Sequence, residues 1–239
     1  MKRAIASIAA GALLMAFAWQ THLAAQQAGG DNEALQTIAA LEKSVDELEH
    51  RIELLKDADA IENLISAYGY YLDKALWDHL ADLFAEDATM EIAQRGVYVG
   101  KAHIRKALEL FGPHGLQHGF LHNHMQLQPV VHVAPDGLSA KARSRAISTL
   151  GQHGVSAVWG DGVYENEFVK ENGVWKIKKD HVYTTFFALY EGGWAKNPRP
   201  APGISERIPP DQPPTEVYQA FPSVYVPPYH YANPVTGRK

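Results

Sequence analysis

Residues Pro113–Pro129 read PHGLQHGFLHNHMQLQP, and four of the chain's twelve histidines, His114, His118, His122 and His124, fall inside this stretch. Whether it is helix or strand decides the fold. As a helix, it would stack His114, His118 and His122 at i, i+4 and i+8 around a metal ion, but Gly115 and Gly119 cut into that helix. As a strand over 121–128, it puts His122, His124, Gln126 and Gln128 on one face and Leu121, Asn123, Met125 and Leu127 on the other. The strand reading therefore predicts a polar stripe. Such a stripe either lines a wet pocket or faces solvent over an apolar underside, and alternation alone leaves both open. A metal held by His122, His124 and a carboxylate such as Asp73 is a further alternative that the spacing does not require.

Upstream the period is helical. From residue 31 to 56, Leu35, Ile38, Leu41, Val45, Leu48, Ile52 and Leu55 recur at spacings of three and four with charged residues between them. That is an amphipathic helix with coiled-coil character, packed on its own domain or pairing with another copy. A second helix, starting at Asp57 or Asp59, carries Ile61, Leu64, Ile65, Tyr68, Tyr71 and Leu72 on one face, and a third runs from Trp77 to Phe84. A strand (ATMEIA), a turn at 94–96, a short strand (VYVG) and a helix (KAHIRKALELFG) closed by Gly112 and Pro113 follow. Downstream the period becomes two: residues 121–133, 139–150, 155–170 and 174–189 read as strands. PDG at 135–137 and NG at 172–173 are hairpin signals. Helices followed by an antiparallel meander imply an α+β domain over 57–191.

The two ends differ from this domain. Residues 1–25 order two cations, an apolar run and small residues as a secretory signal peptide does. The run is short against the roughly 20 residues a spanning helix needs. The expectation is export to the periplasm or medium, with cleavage near Ala25 or Ala28 and no stable membrane insertion afterwards. With no Cys in 239 residues, disulfides and thiolate chemistry are excluded. Residues 192–239 hold eleven of the fourteen prolines plus several aromatics. Proline denies them helix and sheet interiors, while aromatics argue against a purely disordered tail. The expectation is an extended arm over its own domain or a neighbouring subunit, reaching towards a pocket mouth. A net charge of −5, without a long basic run, excludes a nucleic-acid footprint.

Three segments together carry a family resemblance: LISAYGYYLDKALWDHLADLFAEDATMEI, HMQLQPVVHVAPDG and GVYENEFVKENGVWKI. Their order and spacing resemble the nuclear-transport-factor-2-like superfamily, in its SnoaL-like, scytalone-dehydratase-like branch. The resemblance implies a cone-shaped barrel: a strongly bent sheet wrapped around helices, with an interior pocket. Members are often cofactor-free dehydratases, isomerases or cyclases. Within it, Asp73 matches the family's aspartate, Leu72 stands where a tyrosine is expected, and His124, or as the second choice His122, matches the histidine. The second histidine of the family falls near Ser148, and its serine and asparagine fall near Gly162 and Tyr164.

A neutral imidazole beside a carboxylate is a suitable proton shuttle. His124 and Asp73 are therefore the expected acid–base pair, with Tyr68 and Tyr71 polarising oxygen. Trp77, His122, Ser148, Tyr164 and Phe187 are expected around the substrate. On a bulge-free last strand, Lys179, His181 and Tyr183 continue the side of Trp175 and Ile177 towards the opening. No nucleotide-binding glycine pattern, nucleophile elbow or redox motif is present, so no cofactor is expected. These readings predict an oligomeric lyase or isomerase for an aromatic, phenolic small molecule, working by dehydration or elimination, with deformylation as a variant. The alternative is a non-catalytic periplasmic ligand-binding or assembly module.

Overall fold

A computed structural model describes residues 2–232 and 234–236, and among these the side chains of all but 2–18, 22–30, 194 and 195. The apolar run and cleavage region of the expected signal peptide fall largely outside the described side chains. Among the described residues, no helix is long and apolar enough to cross a membrane. The chain divides into two compact units, Met1–Glu53 and Leu54–Lys239.

Helix α1, Lys2–Asp73, makes up the described part of the first unit and opens the second. In the first unit Leu35, Ile38, Leu41, Val45, Leu48 and Ile52 are all at least half exposed. The helix break expected at Asp57 is absent. Asp57 is a buried mid-helix carboxylate whose Oδ1 accepts hydrogen bonds from Lys170 Nζ (2.6 Å) and Trp175 Nε1 (2.8 Å). Burial works against that charge, yet these two donors and the lysine's charge hold the carboxyl below its usual range. An aspartate at this point thus ties α1 to the last hairpin instead of capping a new helix.

In the second unit, Ile61, Ile65, Tyr68 and Leu72 of α1 fall at helical spacing and are all buried. They pack with Trp77 and Leu80 of α2 (Trp77–Asp82) and with Phe84, Met90, Phe168 and Ile177 of the sheet. Phe84, expected to end the third helix, instead begins strand β1 (Phe84–Ile92). Strand β2 (Val97–Val99), helix α3 (Lys101–Ala107) and a 3-10 turn (Leu108–Phe111) lead into four long strands. These are β3 (Phe120–Val133), β4 (Ser139–Gln152), β5 (Ser156–Glu171) and β6 (Val174–Leu189). Helix α4 (Gly193–Lys196) and the short β7 (Pro198–Arg199) follow. The β5–β6 turn uses Asn172 and Gly173, both at positive φ, as the NG signal predicts.

The sheet runs β2-β1-β6-β5-β4-β3, with β7 paired to β6. It is curved but unclosed, so the expected barrel is an open sheet. One pair also departs from the meander, because β1 lies parallel to β6. The chain leaves β1 early and returns beside it only after the three hairpins are complete.

Two irregularities set which side chains face inward. On β3 the register shifts between Leu127 and Val130, with Gln128 at φ 53°, so His122, His124 and Gln126 and then Val131 and Val133 take the inner side. On β6 the register shifts between Ile177 and Lys179. That bulge reverses the alternation. Trp175 and Ile177 are core, but Asp180 and Val182 continue the core side and Lys179, His181 and Tyr183 do not.

The C-terminal arm lies on its own domain. Pro202 O accepts from Gln94 N (2.9 Å), Gln212 O from Val97 N (2.8 Å) and Ile208 O from the buried Tyr98 hydroxyl (2.9 Å). Gly96, at φ 88°, permits the closest approach: a Cβ there would stand 2.4 Å from Gln212 O. Farther on, Thr215 donates through N (2.6 Å) and Oγ1 (2.7 Å) to the buried Glu91 carboxylate. The Tyr218 hydroxyl accepts from Thr184 N (2.7 Å).

Candidate active site

Strand β3 inverts ordinary amphipathicity: Leu121 and Met125 are exposed, while His122 and His124 line an interior cavity of about 330 Å³. The stripe thus faces a pocket, which settles the alternative that alternation left open. Helix α1 comes close to this strand because of Gly69, where a Cβ would meet His124 O at 2.8 Å.

His124 is held on both ring nitrogens. Nδ1 lies 2.7 Å from Ser148 Oγ on β4, and Nε2 lies 2.7 Å from Tyr164 Oη on β5. Both partners are hydroxyls, which rotate to suit either neutral tautomer. Burial, with His122 nearby, pushes His124 down to about 4, so the imidazole is a neutral base across the physiological range. The Tyr164 ring meets Tyr68 edge-on at 5.9 Å, and Tyr68 Oη donates to Asp180 Oδ2 (3.1 Å). Burial, then the charge of Asp180, pushes both phenols well up from their ordinary value. Asp180 is fully buried, its Oδ1 has no hydrogen-bond partner, and desolvation raises it to about 7 despite the Tyr68 and Asn166 donors. A row of polar side chains thus runs from Ser148 through His124 to Tyr164, whose ring packs against Tyr68, itself bonded to Asp180.

The structure places Tyr68, His122, His124, Ser148, Tyr164 and Phe187 in the cavity wall. Asp73 stands elsewhere. Its Oδ1 accepts the backbone N–H of His124 (2.5 Å), satisfying an amide of an edge strand rather than the imidazole. Asp73 therefore fixes the strand that carries His124 and does not hold the ring. Tyr71 stacks on His79 at 5.4 Å, outside the cavity. Trp77 is wholly buried and donates Nε1–H to Gly112 O (3.0 Å), a packing role. Lys179, His181 and Tyr183 lie on the other face of the sheet, because of the β6 bulge. There they border a polar cavity of about 290 Å³ beside Glu216 and His230 of the arm.

Sequence reading missed three ionisable groups. Asp180 was hidden by the bulge. Arg95, in the β1–β2 turn, and Asp161 of β5 both line the His124 cavity. Arg95 lies in a segment with no period to orient it. Asp161 gave one weak signal, its place between Gly160 and Gly162, where absent side chains leave room. A larger trough of about 860 Å³, bordered by Trp159, Tyr190 and the ends of β3–β5, is less suited to chemistry. It is more open and has no buried acid–base pair. Among the described residues, no cluster of three or more His, Asp or Glu is arranged to hold a metal ion.

This architecture can be set beside known proteins. The sequence profile of the SnoaL-like domain matches residues 53–181, more than half of the chain. The chain belongs to the SnoaL-like domain family. No curated protein matches it. Among solved structures it is similar to a presumptive scytalone dehydratase from Novosphingobium aromaticivorans DSM 12444. That likeness has a TM-score of 0.52 and 24% identity, over 66% of this chain and 98% of the other. It is also similar to the hexachlorocyclohexane dehydrochlorinase LinA type 2 (TM-score 0.52, 21% identity, 58% of this chain and 92% of that one). A further LinA structure aligns with a TM-score of 0.53 at 20% identity, over 60% and 95% of the two chains. These likenesses show a shared fold.

Proposed function

We propose that this protein is an exported, cofactor-independent lyase or isomerase that acts on an aromatic, phenolic small molecule in the His124 cavity. One observation carries the reading. A neutral imidazole, buried and held by two hydroxyls, stands in the wall of a largely apolar chamber of small-molecule size. The SnoaL-like family supports it, since members are typically cofactor-free lyases or isomerases with a substrate pocket. The similar structures bear the names of a dehydratase and a dehydrochlorinase, both eliminations.

In such a reaction His124 accepts a proton from the carbon next to the leaving group. The C–H electron pair forms the new double bond, and the leaving oxygen departs with its bonding pair, receiving a proton within the site. The Tyr164 hydroxyl, turning from His124 Nε2 to the substrate, frees that nitrogen and donates a hydrogen bond to developing negative charge on oxygen, while the Tyr68 hydroxyl keeps donating to Asp180. Asp180, behind Tyr68, holds that phenol in place. Carbon–carbon cleavage with release of formaldehyde is the variant in which the base takes the proton of a hydroxymethyl O–H. Those electrons form the C=O of formaldehyde, the C–C pair in place of the C–H pair forms the new double bond, and the oxygen leaves as before.

The test is turnover of phenolic dimers and hydroxylated polyketides, followed as new absorbance of a conjugated product. His124→Gln and Tyr164→Phe, each shown to be folded, should lower the rate by about 10²–10⁴-fold. Unchanged rates in both would remove the chain of hydroxyls and imidazole from the mechanism. No turnover of any member would favour a ligand-binding module. The reading also includes a homo-oligomer paired through the stripe of residues 31–56, which sedimentation of the Leu41→Glu, Leu48→Glu double variant checks by a fall in mass. Export is checked by sequencing the N-terminus of protein from the periplasm or medium.

A further inference from the structure

The Arg95 side chain forms part of the wall of the His124 cavity, beside Phe111, whose ring centroid is 5.5 Å from the guanidinium carbon. Its Nε is buried without a hydrogen-bond partner, and among the described residues no carboxylate pairs with it. Asp161 borders the same cavity but makes no ion pair with it. A second cation, Arg207, is near enough to act on Arg95 electrostatically and is itself anchored by donating to Glu109 O (2.8 Å). Burial, the largest cause, and Arg207 both weaken the proton affinity of Arg95, with only Tyr98 opposing them. The remaining wall near it is apolar: Ile92, Leu110, Phe111 and Val182.

A guanidinium has five N–H donors in a rigid fork and stays charged in proteins. Arg95 is half-buried, and its one buried nitrogen without a partner, Nε, is a donor on the edge of the fork that an anion in the cavity would satisfy. The carboxylate group is the best geometric match, since it accepts two parallel N–H bonds in one plane. We propose that Arg95 anchors a carboxylate on the substrate, so that the preferred ligand of this cavity is an aromatic acid and not a neutral phenol. This deepens the proposed function, since it rests on the reading of the cavity as the substrate site. It assigns that site a charge requirement that the acid–base residues alone do not impose.

Equilibrium binding tests it without turnover. The probes are 4-fluorobenzoate and its neutral counterpart 4-fluorobenzamide, followed by fluorine NMR on the full chain. The benzoate is expected to bind about ten- to a hundredfold more tightly than the amide. Arg95→Met should reduce the benzoate to the level of the amide while leaving the amide unchanged, and Arg95→Lys should restore part of the preference. Thermal melting of both variants separates loss of the anchor from loss of fold. His124→Gln should retain the benzoate preference, so failure of the catalytic reading is distinguishable from failure of this one. Equal binding of the two probes, no binding of the benzoate, or a preference that survives in Arg95→Met would each overturn the assignment.

Discussion

The two faces of β6 each bury an imidazole, and the surroundings make them different objects. On one side His124 of β3 meets two hydroxyls at 2.7 Å in the wall of an apolar chamber. On the other, His181 lies 3.5 Å from the buried Glu91 carboxylate and stacks on Tyr183 with ring centroids 4.2 Å apart. Tyr183 in turn packs against Tyr218 and Tyr225 of the arm. Burial lowers both histidines to about 4, with Lys179 adding to the effect at His181. The shared shift therefore does not identify a site. A buried neutral histidine is available to a ligand where its partners are small rotatable hydroxyls bordering free volume. His181 also borders free volume, the polar cavity of about 290 Å³, but an acid, an aromatic stack and the arm already engage it, which makes its role structural.

The sharpest way to break this comparison is to treat the two residues alike. His124→Gln should lower turnover by about 10²–10⁴-fold with little change in melting temperature, and His181→Gln should do the reverse. Loss of turnover in His181→Gln equal to that in His124→Gln would erase the distinction. The wild-type rate should also stay level as pH falls to about 5 and drop only as His124 protonates near 4.

Next in size is the arm side. Thr215→Val removes the hydroxyl's hydrogen bond to the buried Glu91 carboxylate while keeping the backbone N–H bond, and should cost about 1–3 kcal/mol, read from denaturant unfolding.

A third measurement sharpens the chamber side through its linkage to pH. Asp180 has a folded value of about 7 against an ordinary 3.8, so between those pH values the folded state holds more protons than the unfolded one. Its contribution is thus favourable at low pH and is lost as pH rises towards 7. His124, with a lowered value, works oppositely and favours the folded state as pH rises from about 4 to 6.5. Asp180→Asn should match the wild type near pH 4 and exceed it by a few kcal/mol at pH 8. Equal stability at both would show that the carboxylate is not desolvated. The smallest effect is expected at the backbone: Gly69→Ala should press α1 off the His124 carbonyl, costing about 1–3 kcal/mol and lowering turnover several-fold.

How far the sequence could be read follows from the range of the forces involved. The NG and PDG turns, the four long strands and the helical face of Ile61, Ile65, Tyr68 and Leu72 depend on neighbours a few positions away, and all are present. The polar stripe of β3 was legible as a stripe, but its direction was not, because that depends on α1 and β4. The β6 bulge is a matter of pairing with β1 and β5, and one extra residue reversed the expected facing of Lys179, His181 and Tyr183. Asp73 was read as a partner of the imidazole and serves the amide of the same residue. The family resemblance put it near His124, and only the edge of the sheet determined which atom it served.

The bond between Thr215 and Glu91 joins positions 124 residues apart. During synthesis, Glu91 leaves the ribosome long before the segment that will cover it exists. The sheet must hold an acid without its final donors until almost the whole polypeptide has emerged. Folding is thus completed from the carboxyl end, and a nascent chain that stalls before residue 215 carries a charge at the place where its interior should be closed.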